Sequence, residues 1–384
     1  MSEPDRPADP STLPLFQRFP ALAQRVRWQW LGRYPTPVQR LVLPAGALWV
    51  KRDDLTAEPY GGNKVRKLEF LIADALGSGA GRLVTAGALG SHHALATAVY
   101  GRAAGLPVTL VLFPQPVTPH VRRVLLTDVA LGAQLRFVPR LELVPGALLA
   151  LRWAARRERP YVIPPGGSDA LGTLGYVNAG LELAQQVAAG TLPAPAEVHV
   201  AAGTLGTAAG LAIGLTLAGL ETRVAATRIT GRVVTNERTL GRLIRSALAL
   251  LAPEVALDAE QVVGRVEIRH GQIGAGYGRE TEAGRAATVQ LAAAGLELDP
   301  TYTAKAAAEA LTAACVAASA GSGGASGGGA DAREGARAAV RRAAPAPEPL
   351  FWHTLSATEP PLDEEEAVLL ARLPERFRRC LAAT

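Results

Sequence analysis

The sequence predicts an α/β protein whose mostly parallel, open sheets are covered by helices. Short β-rich runs alternate with Ala/Leu-rich runs of helical length, and glycine-containing turns follow several of the β-rich runs. The 384 residues are also 48% hydrophobic but only 5% aromatic, which gives a large core filled by Ala, Leu and Val.

Taken in order, "LWVKRDD" (48–54) reads as a strand and precedes a Gly-Gly turn and a helix over about 64–78. "RLVTAGA" (82–88) leads through "GALGSHH" into a helix over about 91–104. "VTLVLF" (108–113), "QLRFVP" (134–139) and "YVIPPGG" (161–167) are further strands, and a helix over about 172–189 follows. "EVHVAAG" (197–203) runs into a helix over about 206–218, and "TRVAATRI" (222–229) and "PLFWHT" (349–354) complete the set. In such sheets ligands lie beyond the carboxyl ends of the strands, where the Gly-rich turns of this chain fall.

Segment 314–348 breaks the pattern. Its Ala/Gly/Ser centre buries too little side chain to offset ordering the backbone, so it is expected to be a surface insertion whose centre (320–330) can be removed. The tail "LDEEEAVLLARLPERFRRCLAA" is expected to form a helix capped by Asp363, with acidic residues in its first turn.

The net charge of +6 is spread over short Arg pairs with no basic, aromatic-rich stripe, which argues against a nucleic-acid surface. Two isolated cysteines, Cys315 and Cys380, form neither a disulfide framework nor a metal motif. No apolar run is long enough for a bilayer, and the first thirty residues lack a signal-peptide core, so a cytoplasmic, soluble protein is expected.

Charge usage points to a site. The 40 Lys and Arg residues are 36 arginines and four lysines: Lys51, Lys64, Lys67 and Lys305. A guanidinium stays protonated, whereas a desolvated amine can act as nucleophile or proton carrier. Two of the four stand three residues apart in "GGNKVRKLEF" (61–70), directly after a Gly-Gly turn. Chance survival of surface lysines is the bland alternative, and it leaves that spacing unexplained. Downstream, "AAGTLGTAAG" (201–210) runs from strand into helix, and its backbone N–H groups with Thr204 and Thr207 make a cradle for one phosphate. A phosphate cradle paired with a reactive amine is what pyridoxal phosphate requires.

These motifs, with "GGSDALGTLGY" (166–176), "GYG" (276–278), "LDPTYTAKA" (298–306) and "FWHT" (351–354), follow the order of one known family. The chain resembles the D-cysteine desulfhydrase and 1-aminocyclopropane-1-carboxylate (ACC) deaminase family, over about residues 35–356. The resemblance implies a two-domain tryptophan synthase β-like fold (fold type II) with pyridoxal 5′-phosphate as cofactor. It places a larger cofactor-binding domain at 1–66 and 176–384 and a smaller α/β domain at 67–175, and it implies a homodimer.

Carried over residue by residue, Lys64 resembles the Schiff-base lysine, with Asn63 and Lys67 supporting the cofactor. Gly203, Thr204, Leu205, Gly206 and Thr207 resemble the phosphate loop. Ser91 resembles the serine that meets the substrate carboxylate, and Tyr277 and Tyr302 the two active-site tyrosines. Thr303 and Thr354 match the desulfhydrase pattern rather than the Glu and Leu of the deaminases. A hydroxyl near the pyridine nitrogen, in place of a carboxylate, suits elimination, where the departing group carries charge away.

Three positions depart from the family pattern. His92 follows Ser91 where Asn is usual, Leu355-Ser356 replace Gly-Gly after His353-Thr354, and Asp169 stands where Asn is common. His92 is expected to donate to the cofactor's 3′-oxygen and to titrate near about pH 6–7. The expected activity is β-elimination on a small amino acid such as D-cysteine, giving pyruvate, ammonia and sulfide. ACC deamination and cofactor binding without turnover are the alternatives.

Overall fold

The computed structural model describes residues 9–44, 46–322 and 347–382. The ten strands of these residues form two sheets. β1 (Val38–Leu43), β2 (Gly46–Arg52), β7 (Glu197–Ala202), β8 (Arg223–Arg228), β9 (Val266–Arg269) and β10 (Leu350–His353) build a six-stranded sheet in the order β1-β2-β10-β7-β8-β9. β3 (Arg82–Ala88), β4 (Val108–Phe113), β5 (Gln134–Phe137) and β6 (Pro160–Val162) build a four-stranded sheet in the order β5-β4-β3-β6. All neighbours pair in parallel except the β1–β2 hairpin.

The two strands absent from the sequence expectation are the two edges of the larger sheet, β1 and β9. An edge strand is half solvated and lacks the continuous apolar run of a central parallel strand. Val42 on β1 is 77% exposed, whereas Val198 and Val200 on central β7 are fully buried.

Helices Asn63–Gly77, Ala170–Ala188 and Gly206–Leu217 pack on one another in that order, the first two and the last two in contact, and carry the turns that form the site. Their close approach depends on glycine. A Cβ on Gly175 would lie 2.1 Å from the carbonyl oxygen of Arg66, so no larger residue lets the Ala170 helix seat against the Asn63 helix.

Beneath that contact lies a buried charge network. Lys51 Nζ meets Glu182 Oε1 at 2.5 Å and the Thr36 carbonyl at 2.7 Å. Arg66 bridges Glu182 (2.9 Å) and Asp53 (2.7 Å), and Asp53 also accepts from Tyr176 and Trp352, each at 2.7 Å. Burial alone would raise the carboxyl of Asp53, but the Arg66 guanidinium and Lys51 bring it down to about 2.

Two segments differ from expectation. Residues 314–322, assigned to the insertion, continue the helix Thr303–Ser322, and Ala314 is buried in it. The run of Ala and small residues there is helix-compatible and packs on β2, against Gly46. Residues 323–346, which include most of the expected removable centre, lie outside the described residues.

The tail is two short helices, Glu366–Arg372 and Glu375–Ala382, separated at Pro374, and Asp363 caps neither. Leu369, Leu373, Phe377 and Leu381 pack into the core around the smaller sheet, not the larger one. Phe377 meets Phe137 edge-on at 5.6 Å, and Arg372 donates to the Val129 carbonyl.

Candidate active site

The carboxyl ends of β2, β3, β6, β7 and β10 converge, and the segments that leave them carry most of the candidate residues. Lys64 lies at the start of the Asn63 helix and is half-buried. Its Nζ donates to Asn63 Oδ1 (3.1 Å), and Asn63 Nδ2 donates to Thr207 Oγ1 (3.1 Å). The amine is thus tied through one amide to the Gly/Thr loop after β7. Burial pushes the Lys64 ammonium down to about 8, against a weaker opposing pull from Asp299.

That loop shows why its composition matters. Leu205 takes a left-handed conformation (φ 65°), held by its burial in the main core, at a cost of order 1–3 kcal/mol. The helix that follows, Gly206–Leu217, has no side-chain cap, whereas the helices starting at His92, Pro119, Ala170, Glu237, Ala259 and Glu282 are each capped by a Ser, Thr, Asn or Asp oxygen. Lys67 Nζ lies beside this free N-terminus, bonded to the Gly166 carbonyl and Ser168 Oγ (each 3.1 Å). Ser168 Oγ in turn contacts Thr204 Oγ1 at 2.6 Å. A Cβ on Gly206 would stand 2.5 Å from Ser168 Oγ and 2.9 Å from Lys67 Nζ, so only glycine keeps the cradle open.

Burial, with Lys64 nearby, holds the Lys67 ammonium well below its usual range. Two amines, free backbone N–H groups and hydroxyls joined in one hydrogen-bonded cluster are a donor set matched to a phosphate. With Lys64 at its edge, the set fits an aldehyde-bearing phosphate such as pyridoxal phosphate.

All four lysines are withdrawn from solvent: Lys51 and Lys305 are fully buried, Lys67 is 2% exposed, and Lys64 is half-buried. None is a surface remnant. Lys51 serves the charge network, and Lys305 Nζ donates to the Ile273 carbonyl (3.3 Å).

Ser91 caps the helix His92–Ala103, accepting from Ala94 N (3.2 Å), which leaves its hydroxyl proton free to donate. Tyr277 and Tyr302 join through their hydroxyls, and their rings meet edge-on. Burial raises Tyr277 to about 12, so both remain protonated at neutral pH. Thr303 Oγ1 gives its proton to Asp299 Oδ2 (2.8 Å) and accepts from Asp299 N (2.8 Å), so a further partner is offered only a lone pair. The Thr354 carbonyl accepts from Asn63 N (3.2 Å) and fixes the start of the lysine helix.

Two residues escaped the sequence reading. Asp299 is 5% exposed, accepts from the N–H groups of Thr301, Tyr302 and Thr303, and is the carboxylate acting on Lys64, His92 and both tyrosines. Its position before Pro-Thr-Tyr-Thr was a turn signal that could have marked it. Ser168 lay inside a quoted motif without being singled out. Asp169 accepts from Gly172 N (2.7 Å) as the cap of the Ala170 helix, a task Asn performs equally, which accounts for that departure.

His92 requires a correction. Its Nδ1 pairs with the Tyr60 hydroxyl at 2.7 Å, and its ring lies edge-on to Tyr302 (5.7 Å). Burial pushes its pKa down to about 4 despite the opposing pull of Asp299, so the expected midpoint near 6–7 is replaced by a neutral imidazole through that range. Following the His92 ring protons by NMR should give a midpoint near 4; one between 6 and 7 would contradict the buried, Tyr60-bonded geometry.

The chain is similar to several known proteins. Residues 30–325 match the family described as pyridoxal-phosphate dependent enzyme. A D-cysteine desulfhydrase of Salmonella typhimurium is 38% identical over 307 residues, spanning 76% of this chain and 87% of that protein. The nocardicin C-9′ epimerase of Nocardia uniformis subsp. tsuyamanensis is 39% identical over 267 residues, spanning 67% and 79%. Among solved structures, an ACC deaminase homologue aligns with a TM-score of 0.69 at 29% identity, covering 90% of this chain and 95% of its own.

Proposed function

The chain belongs to the pyridoxal-phosphate dependent enzymes, and on that premise we propose that it is a lyase that removes the β-substituent of a small amino acid, D-cysteine or a close analogue. The products are pyruvate, ammonia and sulfide. When bound, the cofactor draws electrons from the amino acid joined to it and so acidifies the bond between Cα and hydrogen.

The protein's own groups supply the rest. Lys67, Ser168, Thr204, Thr207 and the free N–H groups at Gly206 hold the phosphate, and Asn63 keeps the Lys64 amine at the cradle's edge. With its pKa near 8, Lys64 has a deprotonated fraction at neutral pH, and Nζ takes the proton from Cα. Ser91 Oγ and the N-terminus of its helix bind the substrate carboxylate. The Tyr277–Tyr302 hydroxyl pair holds the proton that meets the departing group. Thr303 and Thr354 line the cofactor ring, and His92 contacts its phenolic oxygen through the nitrogen not used by Tyr60. The reading also takes the active form to be a homodimer in the cytoplasm, both on the family resemblance, and sedimentation would test the first.

The observation that carries the reading is the Lys64–Asn63–Thr207 chain joining a lowered amine to an uncapped helix. The choice of D-cysteine rests on the desulfhydrase relatives together with Thr303 and Thr354. The structural likeness to an ACC deaminase homologue supports ACC as a second substrate reading. Purified protein loaded with cofactor should release pyruvate and sulfide from D-cysteine, with kcat/KM at least tenfold above that for 2-oxobutanoate from ACC or pyruvate from D-serine. Release of 2-oxobutanoate from ACC, with no pyruvate from D-cysteine, would overturn the D-cysteine assignment. Exchange of the Cα hydrogen without pyruvate would instead assign epimerisation, the chemistry named for the Nocardia relative.

A further inference from the structure

Two of the three departures from the family pattern meet in one place. His92, Leu355 and Ser356 are far apart in sequence, yet they line a single cavity of about 200 Å³ together with His120, Arg123 and Glu359. The cavity shares its wall with the active site. His92 lies edge-on to Tyr302, and Asp299, which also lines the cavity, accepts from Tyr302 N. A sulfhydryl needs little more room than one water molecule, about 30 Å³ in the liquid. The cavity behind His92 is several times larger.

Its chemistry is polar, with the carboxylates of Glu297, Asp299 and Glu359 set against the single guanidinium of Arg123. Glu359 pairs with Arg123 and faces His120 Nδ1 at 3.6 Å, so the cation and the carboxylate largely cancel. His120 lies beside His92 with ring centroids 5.0 Å apart and planes tilted by 39°, and its Nε2 has no hydrogen-bond partner among the described residues. The Ser356 side chain turns away to accept from Gly61 N (2.6 Å) and donate to the Thr358 carbonyl (2.7 Å), which holds the 355–360 wall in place. An anionic substituent would meet these carboxylates and a cationic one would compete with Arg123 for Glu359, whereas an uncharged hydroxyl or amide finds partners without disturbing the pair.

We propose that this cavity receives the β-substituent of the substrate, and that it selects amino acids carrying an uncharged, polar thioether larger than the sulfhydryl of cysteine. The proposal rests on the elimination reading above. In the reaction the Cα–H and Cβ–S bonds break, sulfur leaves with the bonding pair and takes up a proton as a free thiol, and one water converts the three-carbon remainder to pyruvate and ammonium.

The test compares D-cysteine with S-(2-hydroxyethyl)-D-cysteine and S-benzyl-D-cysteine on the cofactor-loaded enzyme, following pyruvate, free thiol and the visible spectrum on substrate binding. The hydroxyethyl compound should show kcat/KM at least threefold above D-cysteine, through a lower KM and tighter spectral binding, and the apolar benzyl compound should fall below both. Ala357→Trp, placed at the exposed rim of the cavity, should cut kcat/KM for the hydroxyethyl compound at least tenfold and change that for D-cysteine less than twofold. Arg123→Ala, which unpairs Glu359, should raise KM for the hydroxyethyl compound selectively and provides the same comparison if Ala357→Trp loses its cofactor band. Turnover of D-cysteine with none of the thioether, or equal losses for both substrates in the variants, would overturn the cavity's role and leave the elimination reading standing. No pyruvate from any substrate would overturn both.

Discussion

Replacing Lys64 by alanine should abolish the visible absorption band of the lysine-bound cofactor and lower pyruvate release by at least roughly 10²–10⁴-fold, the usual range for loss of a positioned proton-transfer group. In the proposed reaction the amine is the nucleophile toward the cofactor's aldehyde and the base at Cα, and the other three lysines are held elsewhere. Lys67 is committed to Gly166 and Ser168, Lys305 to the Ile273 carbonyl, and Lys51 to Glu182 and Thr36. Lys305→Met is the matched control and should keep the band. Lys51→Ala, which the sequence alone would offer as a second control, is unsuitable because it leaves Glu182 without its ammonium partner in the core. The phosphate cradle is intact in Lys64→Ala, so cofactor should still bind without a covalent link, and equilibrium dialysis would detect it. A band retained in this variant would remove Lys64 from its role.

The second large effect is on stability. Glu182→Ala should lower stability by about 3–5 kcal/mol, because Lys51 and Arg66 are left as buried cations sharing only Asp53 and neutral acceptors. In a chain of this size that corresponds to a fall in Tm on the order of 10 °C, read by calorimetry. Glu182→Gln, which keeps an acceptor but not the charge, should fall between wild type and alanine. A Tm within about 2 °C of wild type for Glu182→Ala would show that the network is replaceable. The same network sets an acid limit. Asp53 at about 2 and Glu182, also lowered, are depressed in the folded state, so their stabilisation is complete above the unfolded carboxylate range. It is lost as pH falls through roughly 4 to 2.

Much of the fold was legible because the central strands and their helices carry their own signals. All eight expected strands are present, with β6 ending earlier than its apolar run, and the expected helices at 64–78, 91–104, 172–189 and 206–218 lie within about two residues of those observed. The strands β1 and β9 were not, since edge position removes the burial that writes an apolar run. Pro374 divided a tail that its charge pattern alone presented as one helix.

The sequence by itself determined the α/β class and marked Lys64 after a Gly-Gly turn and the glycine-threonine loop at 203–207 as candidates. Each of these is a local matter: periodicity, turn chemistry and the contrast of amine with guanidinium act over a few residues. Tertiary structure alone placed Lys51 in a core charge network and Lys67 against the Gly166 carbonyl and Ser168. It alone set Asp299 among the amine, the imidazole and the tyrosines, lowered His92 to about 4, and gathered His92 with Leu355-Ser356 around one cavity. The physical reason is that desolvation and Coulomb interaction depend on distance in space, and residues 92 and 355 become neighbours only when the two sheets close on each other.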